Sequence, residues 1–177
     1  MALTVVLGGA RSGKSALAVR TATAQARPVA FIATAEPGDE EMAARIAAHR
    51  AERPFGWRTV EAPVDLDGAL RDCPPGAFVI VDCLTLWVSN LVGQGRDGGV
   101  VAEAVRAAAT AAGRAGPTVV VSNEVGSGIV PADAGTRRYR DLLGEVNAAF
   151  VAAAGRAVLM VAGRALPLSP AEGLVDG

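Results

Sequence analysis

Near its start the chain carries a glycine-rich segment with the composition of a phosphate-binding loop. The segment reads GGARSGKS, fits the pattern GxxxxGK[ST], and directly follows a short apolar run. Its glycines would let backbone N–H groups turn toward phosphate oxygens, while the helix that follows presents its positive end. Lys14 is expected to reach the β and γ phosphates, and Ser15 to ligate Mg²⁺. The predicted nucleotide-binding residues here are Gly8, Gly9, Ala10, Arg11, Ser12, Gly13, Lys14 and Ser15.

An acidic ligand for the metal is predicted at the end of a later apolar run. Asp82 directly follows Phe78 to Val81, and P-loop enzymes place a carboxylate near the metal at such a position. Asp82 also precedes a helical segment, so it suits a helix cap, and the two roles are compatible. We assign Asp82 to the metal site together with Ser15. These motifs predict nucleotide binding without identifying the nucleotide or the acceptor.

The single histidine, His49, lies among arginines in a predicted helix that stops before Pro54. Glu41, Arg45 and His49 follow one another at intervals of four, so they form one polar row. Neighbouring cations favour the neutral, nucleophilic form of an imidazole and attract phosphate oxygens, which makes a covalent phosphoramidate chemically reasonable. A solvated histidine on a charged helix face is the alternative, and the spacing does not decide between them.

Short apolar segments alternate with helical ones along the chain, which predicts an α/β fold with a mostly parallel sheet flanked by helices. The predicted strands are Leu3 to Leu7, Val29 to Ala33, Phe78 to Val81, Thr118 to Val121 and Val158 to Val161. The predicted helices are Lys14 to Ala24, Asp39 to Glu52, Leu84 to Val92, Val100 to Arg114 and Asp133 to Ala154. Trp57 to Glu61 is a weaker strand prediction, suited to a sheet edge.

Composition sets the broad class. The 177 residues suit one domain, and a content of 51% hydrophobic but 4% aromatic residues predicts a core of Ala, Val, Leu and Ile. A net charge of −1 offers no broad field for nucleic acid. Cys73 and Cys83 lack the spacing of a zinc site or a disulfide framework, and no leader or membrane segment is evident. We therefore expect a cytoplasmic protein without membrane insertion.

Several segments, in order, resemble the bifunctional adenosylcobinamide kinase/adenosylcobinamide-phosphate guanylyltransferases of cobalamin biosynthesis. The resemblance covers nearly the whole chain. It rests on GGARSGKS at Gly8, IAT at Ile32, DEEMAARIAAHRAERP ending at Pro54, WRTVE at Trp57, VDCLTLWVSNL at Val81 and SNEVGSGIVP at Ser122.

This resemblance implies two reactions at one centre. The aminopropanol hydroxyl of adenosylcobinamide is phosphorylated by ATP or GTP, and GMP from GTP is then joined to that phosphate through a guanylyl-histidine. The histidine of the H-x-x-x-R-P block corresponds to His49. The resemblance also implies a RecA-like fold and a homo-oligomer, expected to be a trimer.

Further nucleotide contacts follow from the resemblance alone. They are Ala33, Thr34, Ala35, Arg50, Ala51, Glu52, Arg53, Glu61 and Cys83. The alternative is that Arg50 and Arg53 are solvated helix charges and Glu61 a strand-edge carboxylate. Glu124 follows the Thr118 to Val121 strand, so it suits either the ligand edge of the sheet or a loop.

Two other functions fit the motifs. A P-loop kinase of a small molecule, with an incidental His49, would form a phosphorylated product and release no pyrophosphate from GTP. A RecA-like regulatory module would bind nucleotide without turning over adenosylcobinamide.

Overall fold

The computed structural model describes residues 3–38, 40–51 and 53–171, and the side chains of Arg45 and His49 lie outside that description. Strands and helices alternate along most of the chain. In chain order the elements are β1 (Leu3–Gly8), α1 (Lys14–Thr23), β2 (Val29–Ala33), α2 (Glu40–Ala51), β3 (Arg58–Glu61), α3 (Leu66–Asp72), β4 (Phe78–Asp82), α4 (Leu84–Gly93), α5 (Val100–Gly113), β5 (Thr118–Val121), α6 (Ala134–Ala153), β6 (Arg156–Val161) and β7 (Arg164–Leu168).

The strands form one seven-stranded sheet in the order β3-β2-β4-β5-β1-β6-β7. Every neighbouring pair is parallel except β6 and β7. The carboxyl ends of β1, β4 and β5 therefore meet at one edge, which is where open α/β sheets bind ligands. The predicted mostly parallel sheet is confirmed, and β3 occupies the edge that was expected for Trp57 to Glu61.

Helices cover both faces of the sheet, and small side chains let them approach it closely. On one face, Ala18 and Ala22 of α1 belong to a buried cluster with Phe31 and Ile80. The other face is covered by α3, α4, α5 and α6, where Trp87 is the largest fully buried side chain. Within residues 3–38, 40–51 and 53–171, no helix is both long and apolar enough to cross a bilayer.

One α-helix and one strand were not predicted. The helix α3 has seven residues, too few for a helical period to stand out, and the Asp65 carboxylate caps it by accepting from the Gly68 N–H at 2.9 Å. The strand β7 is exposed throughout and pairs antiparallel with β6. Ala162 and Gly163 join these strands with φ of +48° and +78°, as a two-residue hairpin turn requires. Pro167 lies within β7, and proline is tolerated in an edge strand.

Candidate active site

At the end of β1 the backbone requires glycine. Gly8 has a φ of +151°, and a Cβ on it would lie 2.4 Å from the carbonyl oxygen of Met160 in β6. A side chain at this position would therefore push the two paired strands apart. Gly13, with a φ of +97°, precedes α1 in the left-handed region that glycine favours. The shape of the loop thus depends on glycine at both of its ends.

Replacing Gly8 by alanine is expected to lower the free energy of unfolding by about 2 to 4 kcal/mol, through overpacking against Met160 and a strained backbone. Urea unfolding followed by circular dichroism measures the loss. Gly9→Ala is the matched control, because among the described residues no heavy atom lies within 4 Å of its added Cβ. The control should change stability by less than about 0.5 kcal/mol. Equal losses in both variants would contradict this explanation.

The amino-terminal end of α1 is built to receive an anion. Its N-cap is Gly13, which supplies no side-chain cap, and its first turn, KSAL, has no acidic residue. The Lys14 ammonium donates to the carbonyl oxygens of Gly8 at 2.8 Å and Gly9 at 2.5 Å, so it lies inside the curl of the loop. Burial lowers the pKa of Lys14, and Cys83 and Asp82 oppose that shift. An entering phosphate would meet backbone N–H groups, the helix dipole and a poorly hydrated cation.

A hydrogen-bond network holds the residues at the end of β4. Thr34 is fully buried, and its hydroxyl donates to the Cys83 carbonyl at 2.7 Å and accepts from the Cys83 N–H at 2.8 Å. The side-chain amide of Asn90 donates to the Thr34 carbonyl at 2.8 Å. Burial raises the pKa of the Cys83 thiol, which keeps it protonated near neutral pH. Because these hydrogen bonds fix Cys83, the preceding Asp82 lies at a well-held strand end beside the P-loop.

A cleft of about 400 Å³ opens over this edge of the sheet, a volume suited to one small ligand, since ligand pockets span about 300 to 1,000 Å³. The predicted site residues that line it are Ala10, Arg11, Gly13, Lys14, Ser15, Ala33, Ala35, Arg53, Asp82 and Cys83. Its other lining residues are Ala16, Phe31, Met42, Ile46, Thr85, Leu86, Val121 and Asn123. The lysine of the loop and the two predicted metal ligands therefore open on one cavity.

The remaining predicted residues lie outside the lining. Gly8, Ser12 and Thr34 are buried, and Gly9 is exposed. Arg50, Ala51 and Glu61 are exposed, with Arg50 and Glu61 joined in an ion pair. Such an exposed ion pair contributes little to the stability of the fold. A ligand could therefore separate the two charges with little loss of free energy. Glu52 lies outside the described residues.

Arg53 differs from these surface charges. Its guanidinium lies 3.7 Å from the centre of the Phe31 ring and donates to the Thr59 hydroxyl at 3.2 Å. Burial lowers the pKa of Arg53, and the Asp82 charge opposes this effect. Within the described part of the chain its Nε makes no hydrogen bond. The Arg53 guanidinium is thus held in place at the cleft and still has an unused hydrogen-bond donor, which suits the binding of a phosphate.

The helix α2 forms one wall of the cleft through Met42 and Ile46. The spacing of these residues predicted an apolar pair, and the structure places the pair toward the nucleotide cavity. His49 lies in the same helix, three positions after Ile46, and positions three apart are neighbours on a helix surface. Its side chain lies outside the described residues. The helix α2, which carries the only histidine of the sequence, therefore borders the same cavity as the P-loop.

Glu124, after β5, suited either the ligand edge of the sheet or a loop, and it is the neighbouring Asn123 that lines the cleft. The Asn123 backbone is held from both sides, because its N–H donates to the Thr85 hydroxyl at 2.9 Å and its carbonyl accepts from Asn147 at 3.0 Å. The Glu124 carboxylate instead accepts from the Gly126 N–H at 2.5 Å. The available signal was position, since Asn123 follows β5 much as Asp82 ends β4.

Comparisons with known proteins find relatives over nearly the whole chain. A family model described as "Cobinamide kinase / cobinamide phosphate guanyltransferase" matches residues 4–168. The bifunctional adenosylcobalamin biosynthesis protein CobP of Pseudomonas aeruginosa is 43% identical over 169 residues, which are 93% of this chain and 95% of that protein. The corresponding protein CobU of Escherichia coli is 38% identical over 173 residues, covering 90% and 95%.

Solved structures share the fold at low identity. The RadB recombinase matches with a TM-score of 0.53 at 19% identity, over 89% of this chain and 73% of that one. An ATPase of a type III secretion system matches with a TM-score of 0.52 at 11% identity, over 89% and 50%. This likeness shows the fold alone and confirms the RecA-like P-loop architecture. The family match confirms the resemblance seen in the sequence, and the chain belongs to the cobinamide kinase / cobinamide phosphate guanyltransferase family.

Proposed function

We propose that this transferase phosphorylates the aminopropanol hydroxyl of adenosylcobinamide with ATP or GTP, and then transfers GMP from GTP to that phosphate. The product is adenosylcobinamide-GDP, a precursor in adenosylcobalamin biosynthesis. The family match supports both activities. The structural observation that carries the proposal is that the P-loop and α2, which contains His49, border the same cleft.

In the kinase step the protein acts by positioning and charge. Backbone N–H groups at the start of α1 and the Lys14 ammonium hold the phosphates, and Arg11 and Arg53 add positive charge along the cleft. The corrinoid hydroxyl oxygen bonds to the γ-phosphorus as the bond from that phosphorus to the bridging oxygen breaks. Nucleoside diphosphate leaves, and the hydroxyl gives up its proton.

Ser15 and Asp82 are the residues proposed to hold Mg²⁺. Both line the cleft beside Lys14, and hydroxyl and carboxylate oxygens are the donors that this ion prefers. Bound with the nucleotide, the ion would neutralise charge on the phosphate oxygens. The donor set therefore fits the metal that the P-loop motif predicts.

In the guanylyl step an imidazole nitrogen of His49 attacks the α-phosphorus of GTP, and pyrophosphate leaves. A phosphate oxygen of adenosylcobinamide phosphate then attacks the same phosphorus, and the histidine is released unchanged. The kinase step requires the γ-phosphorus next to the corrinoid hydroxyl, whereas the guanylyl step requires the α-phosphorus next to His49. We propose that α2 shifts, or that the nucleotide takes a second pose, between the two steps.

Incubation of the protein with adenosylcobinamide, Mg²⁺ and GTP, followed by identification of all products, tests the proposal. We expect the phosphate ester, adenosylcobinamide-GDP and pyrophosphate. A phosphate ester without pyrophosphate would instead identify a single-activity kinase. Nucleotide binding without corrinoid turnover would identify a nucleotide-dependent switch.

Asn123 is proposed to contact the transferring phosphoryl group or the attacking hydroxyl, because it lines the cleft and its backbone is hydrogen-bonded on both sides. Asn123→Ala is expected to lower kcat of the kinase step roughly 10- to 100-fold, since one positioned donor is lost. Gln94→Ala removes an exposed amide at the end of α4 and serves as the control. Unchanged kinetics in Asn123→Ala would exclude this role.

We further propose that residues 1–177 act as one catalytic domain, in the cytoplasm, as a homotrimer. The single sheet supports the first point, and the family resemblance supports the others. Association is also favoured by the edge strand β7, where Leu166 and Leu168 are exposed next to Val161. Analytical ultracentrifugation distinguishes a trimer from a monomer or dimer.

A further inference from the structure

The connection from β5 to α6 carries a group of exposed aliphatic side chains beside the P-loop. Residues 125–132 read VGSGIVPA and contain no charged residue. Ile129 is 97% exposed, Val130 64% and Val125 39%. Single exposed aliphatic residues are ordinary, but three within six positions of an uncharged loop indicate a contact surface. We refer to Val125, Ile129 and Val130 as the apolar rim.

Hydrogen bonds hold the loop at both ends. At its start the Glu124 N–H donates to the carbonyl of Gly8 at 3.1 Å, which ties the loop directly to the P-loop. At its end the Arg137 guanidinium donates to the carbonyl oxygens of Pro131 at 2.9 Å and Ala132 at 2.6 Å. Asn123, immediately before the loop, lines the cleft. The loop that carries the apolar rim therefore begins at the cleft, next to the P-loop.

The size of the cleft limits what it can contain. Its volume of about 400 Å³ lies near the lower end of ligand pockets, which span about 300 to 1,000 Å³. It can enclose a nucleotide, but it cannot also enclose a corrin macrocycle. The acceptor must nevertheless bring the hydroxyl of its aminopropanol arm to the phosphates. Its ring must then lie outside the cleft mouth while the arm reaches inward.

We propose that the apolar rim binds the corrin ring of adenosylcobinamide, so that the aminopropanol arm passes Asn123 toward the nucleotide; this inference rests on the proposed function. The ring has broad apolar faces, which match the exposed aliphatic side chains. Its peripheral amides can pair with backbone groups of the glycine-containing turn, residues 126–128. The rim sets the affinity for the acceptor and does not contact the nucleotide.

The test is the double variant Ile129→Ser/Val130→Ser. We expect KM for adenosylcobinamide to rise about tenfold or more, because two apolar contacts are lost, with KM for GTP unchanged. Equilibrium dialysis with cobinamide, followed by its visible absorbance, should show the same rise in Kd without turnover. Ile129→Leu/Val130→Leu should restore both constants to within about twofold. Val105→Ser, on the exposed face of α5 and 54% exposed, is the matched control.

The outcomes separate this inference from the function on which it rests. If the wild-type protein forms both corrinoid products and the double serine variant keeps wild-type KM and Kd, the rim inference alone is overturned. A parallel rise in KM for GTP would also overturn it, because the rim would then shape the nucleotide site. Light scattering that shows loss of an oligomer, with cobinamide Kd unchanged, would assign the rim to a second copy of the chain. A wild-type protein without corrinoid turnover would overturn both proposals.

Discussion

His49→Ala is expected to phosphorylate adenosylcobinamide and then stop. The γ-phosphoryl group is held by the P-loop, which the substitution leaves intact, whereas guanylyl transfer loses the atom that forms the covalent bond. Removal of a covalent nucleophile commonly costs several powers of ten in rate, so adenosylcobinamide-GDP formation should fall on the order of 10³-fold or more. Adenosylcobinamide phosphate should accumulate instead.

Rapid-quench labelling with α-labelled GTP measures this directly. The wild-type protein should acquire an acid-labile label at a rate that matches product formation, and His49→Ala should acquire none. Glu41→Gln, an exposed change in the same helix, controls for effects on the helix itself. A covalent label on His49→Ala would exclude His49 as the nucleophile. Loss of both activities with an unchanged melting temperature would show that α2 serves the kinase step as well.

Lys14→Met is expected to lower kcat/KM of the kinase step roughly 10²- to 10³-fold. The methionine keeps the length of the stem but removes the charge that would meet the β and γ phosphates, and a positioned electrostatic contact of this kind is worth about 2.7 to 4 kcal/mol. The folded chain should tolerate the change. Lys14 is 7% exposed, and an apolar side chain replaces a cation whose burial is itself unfavourable.

The melting temperature without nucleotide and the Kd for GTP separate catalysis from folding in this variant. Wild-type stability with weakened GTP binding and slow phosphoryl transfer is the expected combination. Arg20→Met, at an exposed position in the last turn of the same helix, should leave both activities unchanged. Full kinase activity in Lys14→Met would contradict the assignment of the P-loop as the phosphate site.

The sequence predicted most of the sheet because its strands are short, apolar and buried. Regular periodicity also located α6, predicted from Asp133 to Ala154, and the Asp133 carboxylate caps this helix by accepting from the Thr136 N–H at 2.7 Å. The prediction failed at α3 and β7, where the pattern is weak. An antiparallel hairpin that contains proline and faces solvent is specified by its turn and its neighbouring strand, neither of which is visible in hydrophobic periodicity.

Some residues of the candidate site could be identified from contiguous sequence, whereas others are placed by contacts with distant segments. The P-loop could be identified from eight consecutive residues, because its glycines, lysine and serine act through the backbone of one short segment. That Asn123 rather than Glu124 lines the cleft depends on a hydrogen bond donated by the Asn123 N–H to Thr85 and one accepted by its carbonyl from Asn147, residues 38 and 24 positions away in the chain. No pattern within the β5 segment contains that information.

The amino-acid sequence by itself determined the anion-binding loop, the acidic residue at the end of β4 and the family of the chain, since each is written in contiguous residues. Only the tertiary structure decided that Met42 and Ile46 of α2 line the same cleft as the P-loop, that Arg53 stacks on Phe31, and that the connection carrying the apolar rim is hydrogen-bonded to Gly8. These relations join segments far apart in the chain, and the order of strands in the sheet and the packing of helices on it bring them together.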